Sequence, residues 1–175
     1  MDQLLFHPKI VHLPMALAVL MPLITGGVAL AWWRGWFDRR VWVLVVALQG
    51  ILVGSGLLSL NTGELEEERV EEIVADAPIE AHEEAAEAFV LAGAVLLALM
   101  VVPLFLSVGR LRTAALTAIC MGSFLVLVLG YRTGEAGGRL VYEHGAAEAY
   151  VGVDRVSPSK RVRVREQYED EDDEH

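Results

Sequence analysis

The sequence predicts an all-α membrane protein, a bundle of four transmembrane helices built from two repeated helical hairpins. Four segments contain no aspartate, glutamate, lysine or arginine, and each is close to the roughly 20 residues that cross a hydrocarbon core about 30 Å thick. Because backbone polar groups in lipid must be satisfied within the segment, these segments are predicted to be helices. The segments are 10–33, 41–60, 89–106 and 113–131.

The first helix is predicted near 8–33. Proline is favoured at the first helical position, so Pro8 marks its start. A signal peptide is the alternative, because Ala29, Leu30 and Ala31 resemble a cleavage site. The segment is too long for a signal peptide and lacks a basic region before its apolar part, so we expect it to remain in the protein.

The other helices are predicted near 41–60, 78–107 and 113–131, and the third begins at Pro78. The segment GGRLVYEHG at 137–145 follows the fourth helix and is predicted to turn at its glycines and fold back over the outer end of the bundle. The transmembrane domain then covers 1–152. A flexible, charged tail is expected over 153–175.

The two halves of the chain echo each other. PKIVH at 8–12 opens the first helix, and PIEAH at 78–82 opens the third, 70 positions later. NTGE at 61–64 follows the second helix, and RTGE at 132–135 follows the fourth, 71 positions later. Two matches at nearly one offset indicate an internal repeat of a helical hairpin.

The basic residues of the short loops predict the orientation. Arginines cluster in the loops after the first and third helices, and short loops rich in arginine face the cytoplasm. Four tryptophans crowd the first of these loops, as in an interfacial aromatic belt. We therefore expect a multi-pass protein of the bacterial inner membrane, with both termini outside the cytoplasm. The loop residues are Arg34, Arg39, Arg40, Arg110, Arg112, Trp32, Trp33, Trp36 and Trp42.

The four non-terminal histidines all fall at the opposite end of the predicted bundle. His12 and His82 each lie four residues, or about 6 Å, after a helix-starting proline, so the repeat places them at matching depth. A helix N-terminus disfavours a cation, and neutral imidazole is the form that binds metals. His7 directly precedes Pro8, and His144 lies in the segment after the fourth helix.

Several of these motifs resemble a known family. HPKIVHLPMAL at 7–17, the TGE after the second helix, His82 with Glu83, and GGRLVYEHG resemble an uncharacterised bacterial membrane-protein family, domain of unknown function 2231. The resemblance covers about 5–146. It implies the same four-helix unit but no settled activity, although a b-type cytochrome role is suspected for the family.

Haem b is the cofactor that the histidine pattern favours. It needs axial imidazoles on facing helices, which His12 and His82 can supply, and bundle cores commonly hold such sites. His7 and His144 would bind a second haem or surround the first, while Arg132 and Arg139 would meet the propionates. No Cys-x-x-Cys-His occurs, which excludes covalent attachment. Small residues that could make room are Ala16, Gly50, Gly54, Gly56, Ala85 and Ala86.

Two other functions stay open. Histidines near several glutamates could instead bind a bare transition metal, with His12 and His82 as ligands, or the chain could be a structural membrane module without a cofactor. The glutamates are Glu64, Glu83, Glu84, Glu87 and Glu135.

The partners that the sequence favours are the lipid bilayer and a redox protein outside the cytoplasm. A homo-oligomer is left open. The net charge of −10 argues against nucleic acid. There is no nucleophile elbow, phosphate loop or HExxH, so electron transfer or binding is a simpler expectation than catalysis.

Overall fold

The chain forms four long α-helices in a computed structural model, which describes residues 9–71 and 74–146 without the side chains of 66–69. Each helix is long and apolar enough to cross a membrane, so the predicted all-α class with four spanning helices is confirmed. A 3-10 helix, Val102–Leu104, follows the third. The helices are α1 His12–Trp33, α2 Arg39–Glu71, α3 Asp76–Val101 and α4 Arg110–Tyr142.

The helices are arranged as a ring in which sequence neighbours pack together and α4 closes against α1. Helices α1 and α3 therefore lie at opposite corners. The starts of α1 and α3 and the end of α4 share one end of the bundle, called here the histidine end. The arginine end carries residues 34–40 and 102–112. The core between them is almost entirely apolar, with Leu52, Met100 and Ile119 close to fully buried.

The turn between α1 and α2 is made by Gly35, whose φ of 75° lies in the left-handed region that favours glycine. The N–H of Trp36 donates to the carbonyl of Ala31, and the N–H of Gly35 donates to Trp32. These bonds satisfy carbonyls that the end of α1 would otherwise leave open. The short connection makes α1 and α2 antiparallel neighbours.

Helix α2 continues past the NTGE motif that was predicted to follow its end. Asn61 Nδ2 donates to the carbonyl of Leu57, and Thr62 Oγ1 donates to Leu58, so both side chains bond within the helix. At 33 residues α2 is about 50 Å long, which exceeds the hydrocarbon thickness. Its last turns therefore extend beyond the bilayer at the histidine end. Much of the connection that the predicted helix bounds leave over 61–77 is therefore helical.

Helix α4 likewise runs through most of GGRLVYEHG, so the predicted turn at Gly137 and Gly138 is wrong. The chain turns later, at Gly145, whose φ is 73°. The reason is packing, because Leu140 is buried against Val74 and Ile79 at the histidine end, which holds this last stretch of α4 in the helix. Ala146, just after the turn, joins the same small apolar cluster.

Helix α3 begins at Asp76, two residues before the predicted start. Pro78 thus occupies its first turn, where the missing N–H has no helical partner to lose. At the arginine end, Trp32 and Trp42 are buried with ring centroids 5.6 Å apart, whereas Trp33 and Trp36 are exposed. Only the exposed pair fits the interfacial belt that the sequence predicted for all four tryptophans.

Candidate functional site

His82 lies in the second turn of α3, and its imidazole packs against α4 at Gly137. A Cβ added to Gly137 would lie 3.0 Å from His82 Cε1 and 3.4 Å from Nδ1. The residue is half-buried and its Nδ1 atom is shielded from solvent. Among the described histidines, His82 is the one that the fold brings into a helix interface.

Helix α1 reaches the same face of α4. The Cε atom of Met15 would lie 2.8 Å from a Cβ on Gly134. One turn further into the bundle, Gly130 lies between Ala18 of α1 and Phe89 of α3, at 3.3 and 3.2 Å from such a Cβ. Glycines four residues apart share one helix face. Helices α1 and α3 therefore converge on a glycine row of α4 in the half of the bundle nearest the histidines.

Thr133 fixes the register of α3 and α4 close to His82. Its Oγ1 donates to the carbonyl of Ala85 at 2.9 Å and also approaches the carbonyl of Leu129 within its own helix. The first of these bonds joins the two helices three residues from His82. Interhelical hydrogen bonds of this kind stabilise packing where water is absent.

His12 occupies a different environment from His82. It lies at the first residue of α1 with its side chain exposed, so its ring is not enclosed by the bundle. Because α1 and α3 are diagonal, His12 and His82 belong to opposite corners of the ring. The side chain of α1 that packs against α4 at this level is Met15.

The remaining predicted site residues that the structure describes lie at the histidine end. The side chain of His144 is exposed just after α4, and its backbone N–H donates to the carbonyl of Arg139. Arg132 is exposed on α4, while the guanidinium of Arg139 is 2.7 Å from the carboxylate of Glu135. His7 lies outside the described residues, as does the tail over 153–175.

The small residues expected to make room divide between the interior and the surface. Gly56 is buried, and a Cβ there would meet Val90 at 2.9 Å. Ala85 and Ala86 are half-buried on α3, whereas Ala16 and Gly54 are exposed. Neither Gly50 nor Gly54 makes a close helix contact, because a Cβ on either would meet nothing within 4 Å.

The bare-metal alternative gains no ligand set from the described part of the chain. Within it, no three His, Cys, Asp or Glu side chains group closely enough to hold a metal ion. Glu64, Glu84, Glu87 and Glu135 are exposed, and Glu83 is half-buried.

Two buried polar groups lie deeper in the bundle. Gln49 of α2 is fully buried, and its Nε2 donates to the carbonyl of Gly93 on α3 at 3.0 Å. Its Oε1 and the hydroxyl of Thr25 on α1 are buried and have no hydrogen-bond partner among the residues that the structure describes. Such groups cost free energy in an apolar interior. They are two polar side chains in a core that is otherwise almost entirely apolar.

The sequence reasoning missed the part played by α4. Gly130, Gly134 and Gly137 recur at spacings of four and three, which is one helical face, and this pattern could have been found. Met15 gave no such signal, because a methionine in an apolar helix is usually core.

Comparison with known proteins adds the family. A family model described as "Predicted membrane protein (DUF2231)" matches residues 4–149. The chain belongs to this family. The match covers all four helices and the glycine row. No curated protein and no solved structure matches the chain.

Proposed function

We propose that this membrane protein is a b-type cytochrome that holds haem at the histidine end of the bundle and transfers electrons. The observation that carries the proposal is the position of His82, a half-buried imidazole seated on a glycine of α4. A glycine there lets the His82 ring pack directly against the backbone of α4, which holds the imidazole at this end of the bundle. Helix-bundle cores commonly hold haem between such histidines.

The second axial ligand is proposed to come from the first turn of α1. His12 is the residue that the repeat favours, and its exposed side chain would have to turn inward about χ1 to meet an iron between α1 and α3. Met15 already faces α4 and has a thioether that can also bind iron. The choice between them is a spectroscopic question, because histidine and methionine ligation give different potentials.

Arginines at this end can balance the charge of the propionates. Arg132 is exposed and makes no ion pair with the described residues. Arg139 is paired with Glu135, but a surface ion pair is worth little, so a propionate could replace the glutamate. A bound haem would supply one-electron chemistry, and a redox protein outside the cytoplasm would be its partner.

The visible spectrum of the purified, haem-supplemented protein tests this proposal. We expect a low-spin haem b spectrum that His82→Ala abolishes while the protein still inserts. If histidine is the second ligand, His12→Ala should abolish the low-spin spectrum and Met15→Leu should leave it unchanged. If methionine is the second ligand, Met15→Leu should abolish the spectrum and His12→Ala should leave it unchanged. His7→Ala should shift only the potential or haem retention, through effects on the ligands' surroundings.

Two results would contradict parts of the proposal. Absence of a Soret band in the supplemented wild type would refute the cytochrome function. A spectrum that is lost only when His7 and His144 are changed would keep haem but refute His82 as its ligand.

A further inference from the structure

One level of the bundle core is polar, and it lies two helical turns inward from the arginine end. Trp32, Trp42 and Met100 meet at that end. The two indole rings are 5.6 Å apart, and Trp42 Nε1 donates to the carbonyl of Met100. Because seven residues make about two turns, or about 10 Å, the residues seven positions further in share one level and one helix face with these three. Those residues are Thr25, Gln49 and Gly93.

The fourth helix contributes Ser123 to the same level. Gly130 of α4 contacts Ala18 of α1, because a Cβ on Gly130 would lie 3.3 Å from the Ala18 Cβ. Ser123 and Thr25 are each seven residues from this contact, towards the arginine end. All four helices therefore supply a residue to one level, called here the polar layer. The polar layer consists of Thr25, Gln49, Gly93 and Ser123.

The polar layer has hydrogen-bonding capacity that its own residues leave unused. Gln49 Nε2 donates to the carbonyl of Gly93 at 3.0 Å. Ser123 Oγ donates to the carbonyl of Cys120 at 2.7 Å, so its oxygen can still accept a bond. Gln49 Oε1 and the Thr25 hydroxyl have no partner among the described residues, and both side chains are fully buried. Two acceptors and one hydroxyl donor thus remain at one level of the core.

The side chains of the polar layer are also small and uncharged. A glycine, a serine and a threonine accompany Gln49. The larger apolar neighbours about one turn away are Met21, Val45, Leu52, Leu96, Ile119 and Val126. A buried ion would need an opposite charge, and none of the buried side chains that the structure describes is charged. The layer therefore suits a small neutral molecule that both donates and accepts hydrogen bonds.

We propose that the polar layer binds an internal water molecule that joins α1, α2 and α4. The water accepts a bond from the Thr25 hydroxyl and donates to Gln49 Oε1 and Ser123 Oγ. Three hydrogen bonds are typical of a buried water, which satisfies polar groups that lack a protein partner. A water-mediated bond is nearly as favourable as a direct one. The site is about 16 Å from His82 along α3, so it does not depend on the proposed haem.

Water contact with the Gln49 side chain tests the proposal. The full-length protein, carrying isotope-labelled glutamine, is placed in lipid nanodiscs. Magnetisation transfer from water to the Gln49 side-chain amide is then measured by a rotating-frame Overhauser experiment, in which the sign separates contact from proton exchange. We expect transfer in the wild type, and Gln49→Leu identifies the signal by removing it.

Variants of Thr25 should then show whether its hydroxyl holds the water. Thr25→Val should reduce the transfer severalfold, because the water keeps two bonds instead of three. Thr25→Ser retains a hydroxyl and should retain the transfer. Thr133→Val is the matched control, since it removes a buried hydroxyl that bonds directly to the carbonyl of Ala85, and it should leave the transfer unchanged.

Chemical unfolding of the same proteins gives a second measurement. Thr25→Val should raise the unfolding equilibrium constant about fivefold, the effect of one lost hydrogen bond, and Thr25→Ser should change it less. Absence of transfer in the wild type would refute the site, even if Thr25→Val is destabilised, because the Thr25 hydroxyl would then bond directly to protein. Equal transfer in the wild type and Thr25→Val, or an unfolding constant that falls in Thr25→Val, would also refute it.

Discussion

At the scale of single residues, the contact between His82 and Gly137 decides what this end of the bundle can do. The imidazole lies directly beside the place where any residue other than glycine at position 137 would carry its Cβ. Such a Cβ would be 3.0 Å from His82 Cε1, which is closer than ordinary van der Waals contact. Two consecutive glycines within a helix cost stability relative to alanine, about 1 kcal/mol each. The contact with His82 explains why a glycine is present at 137. No contact explains the glycine at 138, where a Cβ would face open space.

Gly137→Ala and Gly138→Ala should therefore differ in their effects on thermal stability. Both changes raise helix propensity by about 1 kcal/mol. At Gly138 a Cβ meets nothing within 4 Å, so the melting temperature in detergent should rise. At Gly137 the ring of His82 must shift, so the gain should be lost and haem binding, if present, should weaken. Equal shifts in the two variants would show that the His82 ring is not held there.

Two buried threonines offer a second residue-scale comparison. Thr133 Oγ1 donates to the carbonyl of Ala85 on the neighbouring helix α3. The Thr25 hydroxyl is buried and has no hydrogen-bond partner within the described part of the chain. Thr133→Val should lower the free energy of unfolding by about 0.5–1.5 kcal/mol. Thr25→Val should be neutral or stabilising if no water is bound there, because it then replaces an unsatisfied hydroxyl with a methyl group. Comparable decreases in the free energy of unfolding for Thr133→Val and Thr25→Val would indicate that the Thr25 hydroxyl has a hydrogen-bond partner in the membrane, such as a bound water.

At the scale of elements, the helix ends depart most from the pattern in the sequence. Helices α2 and α4 both continue through glycine-containing motifs that resemble stops. Local hydrogen bonds from Asn61 and Thr62 sustain α2, and burial of Leu140 against α3 sustains α4. Tertiary packing commonly overrides a weak propensity. The extended ends bring Val74, Ile79 and Leu140 together beyond the expected membrane.

The end of α3 depends on a tryptophan from another helix. Trp42 of α2 is fully buried, and its indole N–H donates to the carbonyl of Met100 at 2.8 Å. Pro103, three residues later, has no N–H to offer to the last turn of α3. Trp42 therefore satisfies a carbonyl at a helix terminus and links α2 to α3.

Trp42→Phe should destabilise the bundle by about 1–3 kcal/mol, because it leaves that carbonyl with one donor fewer and opens a small cavity. Trp36→Phe is the control, since Trp36 is 67% exposed and should change the unfolding free energy by less than about 0.5 kcal/mol. Chemical unfolding in detergent measures both. Equal effects would mean that the indole hydrogen bond contributes nothing.

At the scale of the whole molecule, charge is divided between the two ends. The arginine end is strongly basic, and the histidine end carries glutamates along α2, α3 and α4. This asymmetry predicts the orientation through the arginines of the short loops, since acidic residues contribute little to it.

Reporter fusions test that orientation in cells. A reporter fused after Arg40 should be cytoplasmic, and one fused after Gly152 should lie outside the cytoplasm. The physical reason is that translocating clustered arginines across the membrane is unfavourable. Both fusions on the same side would refute the N-out, C-out arrangement. That result would also count against the internal repeat, because the repeat predicts the same orientation for the two hairpins.

The sequence by itself determined the number of spanning helices and their antiparallel order. Charge-free segments of sufficient length can satisfy their backbone in lipid only as helices, and this holds whatever they pack against. The positions of the histidines relative to these segments likewise identified the histidine-rich end. These conclusions depend on local composition, which is fully present in the printed chain.

Only the tertiary structure decided which side chains face each other. The sequence treats His12 and His82 as equivalents, yet one is exposed and the other rests on Gly137. Helix rotation sets that difference, because a turn of about 100° per residue moves a side chain from the interior to the surface. Rotation is fixed by where the glycines of α4 admit α1 and α3, and so by contacts between residues more than 40 positions apart.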